Sequence, residues 1–386
     1  MLQNPELHYL DNAATTIVAP DVADVIDRAM REHWANPSSL YAPGARSEEA
    51  LNAARAVVAR SLGCKSRELY FTSCGSEGNN MALLGAALTR KFGKGIVVSG
   101  FEHPSVQKPL ERLAAMGYDV TVVAPRPDGT LDIDEMLSHV DRNTILVACM
   151  MVNNEIGTRN EVERLAAEVK RKNSRTLVHV DAVQAWMRVP IKLANIDTLA
   201  VSGHKIHAPK GTGFLYIRDK VKVKPIIYGG GQQKGMRSGT ENVPGVAALG
   251  EAAAEIYENF DAKIDHMYEI KQRFIDEVTQ IPGVTVNGRT GRNSAPQIVS
   301  VTIEDVRSEV MLHSLEEYGI YVSAGSACSS NKPAPSRTLQ GIGLPKQKLE
   351  STIRISFCVN TTEEEVDYAV EKMKEIIPFR RKFTRK

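Results

Sequence analysis

The stretch from Leu177 to Lys205 decides the fold. It opens on Leu177-Val178-His179-Val180-Asp181-Ala182-Val183-Gln184 and closes on Thr198-Leu199-Ala200-Val201-Ser202-Gly203-His204-Lys205. Each half is a continuous apolar run of strand length that ends on a side chain able to do chemistry. Continuous rather than alternating hydrophobicity predicts strands buried on both faces, as in a parallel sheet covered by helices. One strand end presents a carboxylate, Asp181. The other presents an amine, Lys205, among small and hydrogen-bonding neighbours.

The same pattern extends outward. Leu69-Tyr70-Phe71, Ile96-Val97-Val98, residues 120–123, residues 145–148 and Gly213-Phe214-Leu215-Tyr216-Ile217 read as further strands. Amphipathic segments such as 162–170 and 81–88 read as helices between them, which predicts an α/β architecture with a sheet of about seven strands. From Pro244 to Ile281 one long helical stretch is expected, with Ile264, Met267, Phe274 and Val278 on one face. Beyond Pro282-Gly283 a second domain is expected. Its strands lie near 284–286, 298–301, 320–322 and 353–356, and its helices near 309–318 and 362–377. Thr362 and Glu365 have capping-box spacing at the start of the last helix.

Composition excludes several classes. The 386 residues carry a net charge of only +2, so bulk electrostatics do not argue for nucleic acid or an acidic membrane surface. No apolar run approaches the length of a membrane span. Five cysteines (64, 74, 149, 328 and 358) with no CxxC pair fit free thiols in a reducing compartment better than disulfides or a structural zinc site. The first residues lack the regions of a signal peptide, so a cytoplasmic protein is expected. The basic end, residues 380–386, reads as a solvated terminus.

A lysine able to form a Schiff base and a carboxylate able to hold a pyridinium proton are what pyridoxal 5'-phosphate (PLP) requires of a protein. Around Cys74-Gly75-Ser76, small residues between a strand and a helix could bring backbone N–H groups onto a phosphate. An ordinary turn is the competing reading. The glycine-rich 229–240 segment is equally open to a plain flexible loop. His103 and Asn154 follow two other strands and are expected at the same sheet edge as Asp181 and Lys205, where open α/β sheets bind ligands.

In that order, Tyr9-Leu10-Asp11-Asn12-Ala13-Ala14-Thr15-Thr16, Asn153-Asn154-Glu155-Ile156-Gly157, His179-Val180-Asp181-Ala182, Ser202-Gly203-His204-Lys205 and Gly235-Met236-Arg237-Ser238-Gly239-Thr240 resemble the motifs of cysteine desulfurases of the NifS/IscS type. The resemblance runs from about residue 8 to about residue 375. It implies PLP fold type I and a homodimer. It also implies a large PLP-binding domain at 15–255 and a smaller one from 1–14 and 256–386, carrying a catalytic-cysteine loop at about 323–340. Residue by residue, it implies that Lys205 holds PLP and removes the substrate α-proton, and that Asp181 pairs with the pyridine nitrogen. Gln184 and Asn154 would bond the phenolic oxygen, and His103 would stack on the ring. Gly75, Ser76, Ser202 and His204 would bind the phosphate, with Thr240 reaching the site of the opposite subunit. Arg354 would grip the substrate carboxylate beside Asn154, as a planar fork that lysine cannot imitate. Cys328 would take sulfur from L-cysteine as a persulfide, leaving alanine, and hand it to an acceptor or scaffold protein for iron–sulfur clusters or for tRNA or cofactor thiolation. No metal ligand set is expected.

Two departures from the family pattern stand out. Cys74 and Ser76 occupy positions where small residues and threonine are usual, and Phe357-Cys358-Val359 replaces the usual run after Arg354. Selenocysteine lyase, and a non-catalytic PLP-binding scaffold for a sulfur relay, are the alternatives. Retention of both Lys205 and Cys328 argues against the scaffold.

Overall fold

A computed structural model describes residues 7–324 and 336–383. Its main feature is a seven-stranded sheet in the order Leu69–Thr72, Gly213–Ile217, Thr198–Ser202, Leu177–Asp181, Thr144–Met150, Gly95–Ser99, Asp119–Val123. Only Gly213–Ile217 runs against its neighbours; the other pairings are parallel. The runs of the four interior strands from 144 to 217 are buried along their whole length, whereas the edge strand Asp119–Val123 leaves Val122 exposed. Successive residues feed opposite faces. Ile96, Val98, Leu146 and Ala148 pack with Leu83 and Leu110 of the helices Gly75–Thr89 and Pro104–Ala115. Val97, Val147 and Cys149 enter a core on the other face with residues of Ala42–Leu62, Val162–Lys172 and Val243–Tyr257. Both faces are thus covered, as the runs require.

A second sheet is antiparallel, in the order Ser323–Ala324, Thr352–Ser356, Ile298–Ile303, Val284–Asn287. It packs with Phe274, Val278, Val366 and Val370 around its own core. Beside it, His8–Tyr9 pairs in parallel with Ile320–Tyr321 as a separate two-stranded sheet, and Asn12 N–H donates to Ser356 O of the antiparallel sheet. The capping box of the last helix is present, with Glu365 N 3.2 Å from Thr362 Oγ1 and Thr362 N 2.9 Å from a Glu365 oxygen.

Several expectations are corrected. The stretch 244–281 is two helices, Val243–Tyr257 and Phe260–Val278, because Asn259 takes a left-handed conformation with φ 59°. Asparagine adopts that region more readily than most residues. The helix expected from Met81 starts at Gly75, so Gly75 and Ser76 form its first turn. The strand expected at 320–322 is Ile320–Tyr321, and after Val322 the chain enters the second sheet as Ser323–Ala324. The loop expected to continue to residue 340 gives way to a helix, Arg337–Gly341, capped by Ser336 Oγ. The last helix continues past Ile377 to Arg381. Among the described residues no helix is long and apolar enough to cross a membrane, and no cluster of metal-ligating side chains occurs.

Candidate active site

The C-terminal ends of the parallel strands open on a cavity of about 640 Å³. Gly75, Ser76, His103, Asn154, Asp181, Gln184, Ser202, His204, Lys205 and Arg354 all line it. Four strand ends therefore converge, as expected of the switch-point edge of an α/β sheet. Thr240 is exposed and does not line this cavity. Cys328 lies outside the described residues.

Lys205 ends a 3₁₀ turn that follows its strand directly. Its Nζ donates to the carbonyls of Ala13 and Ala14, both at 2.7 Å. Gln184 Nε2 also donates to Ala13 O, at 2.8 Å. The backbone carbonyl of Lys205 accepts from Arg188 Nη2 at 2.7 Å, and Arg188 is buried. The lysine is thus anchored by its backbone while its amine remains in the cavity.

Asp181 is buried, and its two oxygens accept from Val183 N at 2.9 Å and from Asn79 Nδ2 at 2.8 Å. The Asn79 amide thus turns its nitrogen toward Asp181 and its oxygen away. That oxygen lies 2.9 Å from His179 Nε2, so His179 carries its proton there. His179 Nδ1 faces Thr198 Oγ1 at 2.9 Å, and burial pushes the imidazole down to about 3, so the ring is neutral.

The same amide reaches His103. Asn79 Nδ2 donates at 2.9 Å to Ser105 Oγ, which lies 2.8 Å from His103 Nδ1. Ser105 N also donates to that ring nitrogen, at 3.1 Å. His103 Nδ1 is therefore an acceptor and caps the helix Pro104–Ala115, leaving Nε2 to carry the proton. Burial lowers the His103 pKa; Asp181 opposes the shift and Lys205 adds to it. A neutral histidine with its N–H at Nε2 results. Asn79 joins Asp181, His179 and His103 into one network, and the sequence reading did not nominate it.

At the other end of the cavity is an anion cradle. The helix Gly75–Thr89 begins at the tip of the strand Leu69–Thr72, so the first-turn N–H groups and the helix dipole face this end. At Gly75 a Cβ would come within 2.5 Å of Val183 Cγ2, so no larger residue fits without a shift. Ser202 Oγ is buried and has no hydrogen-bond partner among the described residues. A buried hydroxyl without a partner is costly unless a ligand completes it. His204 sits beside it, held by a 3.1 Å contact between Nδ1 and Thr15 Oγ1. Burial, with Lys205 and Lys210, lowers its pKa to about 4. Glu77 in the same first turn is ion-paired with Arg237: burial works against its ionisation, but hydrogen bonds from Arg237 and Ser73 hold its carboxyl below the usual range.

Arg354 reaches in from the second sheet. Nη1 donates to Asn154 O at 2.8 Å, and Nη2 to Asp11 Oδ1 at 2.9 Å and Ser323 Oγ at 3.1 Å. Its Nε is buried without a partner among the described residues. Glu102, preceding His103, is fully buried and accepts from Ser99 Oγ and from Met150 N at 2.7 Å. Burial raises its pKa to about 8, with Asp181 adding to the shift and the Ser99 bond opposing it. Asp11 was quoted only within a motif, and Glu102 carried no distinguishing sequence signal. The other thiols fit structural roles: Cys149 is buried and far from ionising, and burial pushes Cys64 up to about 12. Cys74 lines the cavity.

The donor set fits PLP. A helix N-terminus with two serines suits a phosphate, a buried carboxylate suits a protonated pyridine nitrogen, and a lysine amine shares the space between them.

Comparison with known proteins agrees. The aminotransferase class-V family profile matches residues 8–369. A curated protein from Nostoc sp. named cysteine desulfurase is 40% identical over 372 residues, spanning 96% of this chain and 92% of that one. A solved structure described as a NifS-like protein superposes with a TM-score of 0.90 at 35% identity, covering 96% of this chain and 99% of the other. Another, described as SspA in complex with cysteine, gives 0.80 at 30% identity and covers 92% and 99%.

Proposed function

The chain belongs to the aminotransferase class-V family, among its cysteine desulfurases, and from that premise we propose how its residues convert L-cysteine to L-alanine. The observation that carries the reading is the sharing of one cavity by Lys205, Asp181 and Arg354. PLP, when bound, supplies an electron sink that permits cleavage at the substrate α-carbon and β-carbon. Lys205 would hold it and Asp181, held in place by Asn79 and Val183, would hold its ring proton. Gly75, Ser76, Ser202 and His204 would take its phosphate, and Gln184 and Asn154 its phenolic oxygen.

Arg354 orients the substrate by its carboxylate. The Lys205 amine would take the α-proton, and His103, neutral with its proton on Nε2, would stack on the ring and relay protons. Cys328 attacks the substrate sulfur as a thiolate. The carbon–sulfur bond breaks, a sulfur–sulfur bond forms on Cys328, and the β-carbon gains a proton to give alanine. A thiol acceptor must then accept the sulfur before a second turnover. The acceptor protein, the homodimer in which Thr240 completes the opposite site, and the cytoplasmic setting belong to this reading.

The test is alanine and sulfide formation from L-cysteine with a thiol reductant by the PLP-loaded protein. Equal alanine and sulfide, both nearly lost in Cys328→Ala, support the reading. Alanine at the wild-type rate from Cys328→Ala removes Cys328 from it.

A further inference from the structure

A carboxylate of the protein already sits on Arg354. A guanidinium grips a carboxylate at two points either end-on, through Nη1 and Nη2, or side-on, through Nε and Nη2. Both grips use Nη2, and that nitrogen has two hydrogens. That nitrogen donates to Asp11 Oδ1 at 2.9 Å and to Ser323 Oγ at 3.1 Å. Ser323 Oγ in turn donates to Asp11 Oδ1 at 2.8 Å, which closes a triangle around Nη2. A substrate carboxylate that takes a two-point hold must therefore compete with these partners at Nη2.

We propose that Asp11 is a specificity-determining residue that competes with the substrate carboxylate for Arg354 and sets how loosely α-amino acids are held. The inference rests on the reading that Arg354 receives that carboxylate. The competition has a chemical rationale. The α-carboxylate is the same in L-cysteine and in L-alanine, so a tight grip would hold substrate and product alike and slow product departure without helping bond cleavage. The resident carboxylate weakens binding of both. Burial of the Arg354 side chain, only 8% exposed, makes the exchange of one anion for another far easier than leaving the cation bare.

The experiment uses the PLP-loaded enzyme, with the isosteric Asp11→Asn variant beside Arg354→Gln. Asp11→Asn lowers the KM for L-cysteine and the inhibition constant of L-alanine together, by about three- to tenfold, with kcat not raised. L-cysteine methyl ester, which has no carboxylate, shows no such gain. Ser323→Ala removes the hydroxyl that shares Nη2 and braces Asp11, and it moves both constants in the same direction, so the claim is tested even if Asp11→Asn folds poorly. If Arg354→Gln raises KM but neither variant lowers it, the competition is wrong and the Arg354 assignment stands. If Arg354→Gln leaves KM unchanged, both are overturned.

Discussion

Asn79 Nδ2 lies 2.8 Å from Asp181 Oδ2, and the opposite edge of the same amide receives His179 Nε2–H at 2.9 Å. One neutral side chain thereby fixes the orientation of the carboxylate, the tautomer of one histidine and, through Ser105, that of His103. The sheet edge is preorganised for a ring cation before any ligand enters.

Removing that amide weakens the hold on the pyridine proton. Asn79→Ala is expected to raise the PLP dissociation constant about tenfold, the scale of one hydrogen bond to a charged group. Titration of visible absorbance with added PLP measures it. Unchanged affinity would mean that Val183 N–H alone keeps Asp181 in place.

Buried histidines make the fold acid-sensitive. His179 is pushed down to about 3 and His207 to about 4, each chiefly by burial, with Arg188 also lowering His207. The unfolded chain takes up protons below about pH 6.5 while the folded one does not, so stability falls as pH falls from 6.5 toward 4. At pH 5 the loss is on the order of 2 kcal/mol per histidine. Urea midpoints at pH 7 and pH 5 test it, and a flat profile would contradict the neutral assignments.

Glu102 has the opposite sense. Its folded pKa is raised to about 8, so the unfolded carboxyl ionises from about pH 4.5 upward while the folded one stays protonated. Stability is lost as pH rises through that window. Glu102→Gln removes the titration and is expected to raise the urea midpoint at pH 7.5, with little change at pH 4. A lower midpoint at pH 7.5 would show that the ionised carboxylate is needed.

Cys74 and Cys149 should differ in reactivity. Cys74 lines the cavity, whereas Cys149 is buried in the sheet with its thiol far from ionising. Brief alkylation of the native protein followed by peptide mass spectrometry is expected to label Cys74, less so once PLP is bound, and to spare Cys149. Labelling of Cys74 that PLP does not reduce would place the cofactor elsewhere.

What the sequence made legible was whatever lies close to a chemistry-bearing strand end. Asp181, Lys205 and His103 each terminate or closely follow an apolar run, so a topological rule predicts their meeting. Asn79 and Asp11 escape such reading because their partners are 102 and 343 residues away, and only packing reveals them. The helix break at Asn259 was illegible for a local reason. Glu258-Asn259-Phe260 contains neither glycine nor proline, and apolar periodicity resumes immediately. The strand near 320–322 was legible but its pairing was not, because its partner His8–Tyr9 comes from the far end of the sequence.

The most direct test of the central claim, that Lys205 and Asp181 clasp one cofactor ring, is borohydride reduction of the PLP-loaded protein followed by peptide mapping. The expected result is a single pyridoxyl adduct on the peptide bearing Lys205, absent from Lys205→Ala. An adduct on any other lysine, or one that persists in Lys205→Ala, would contradict the account.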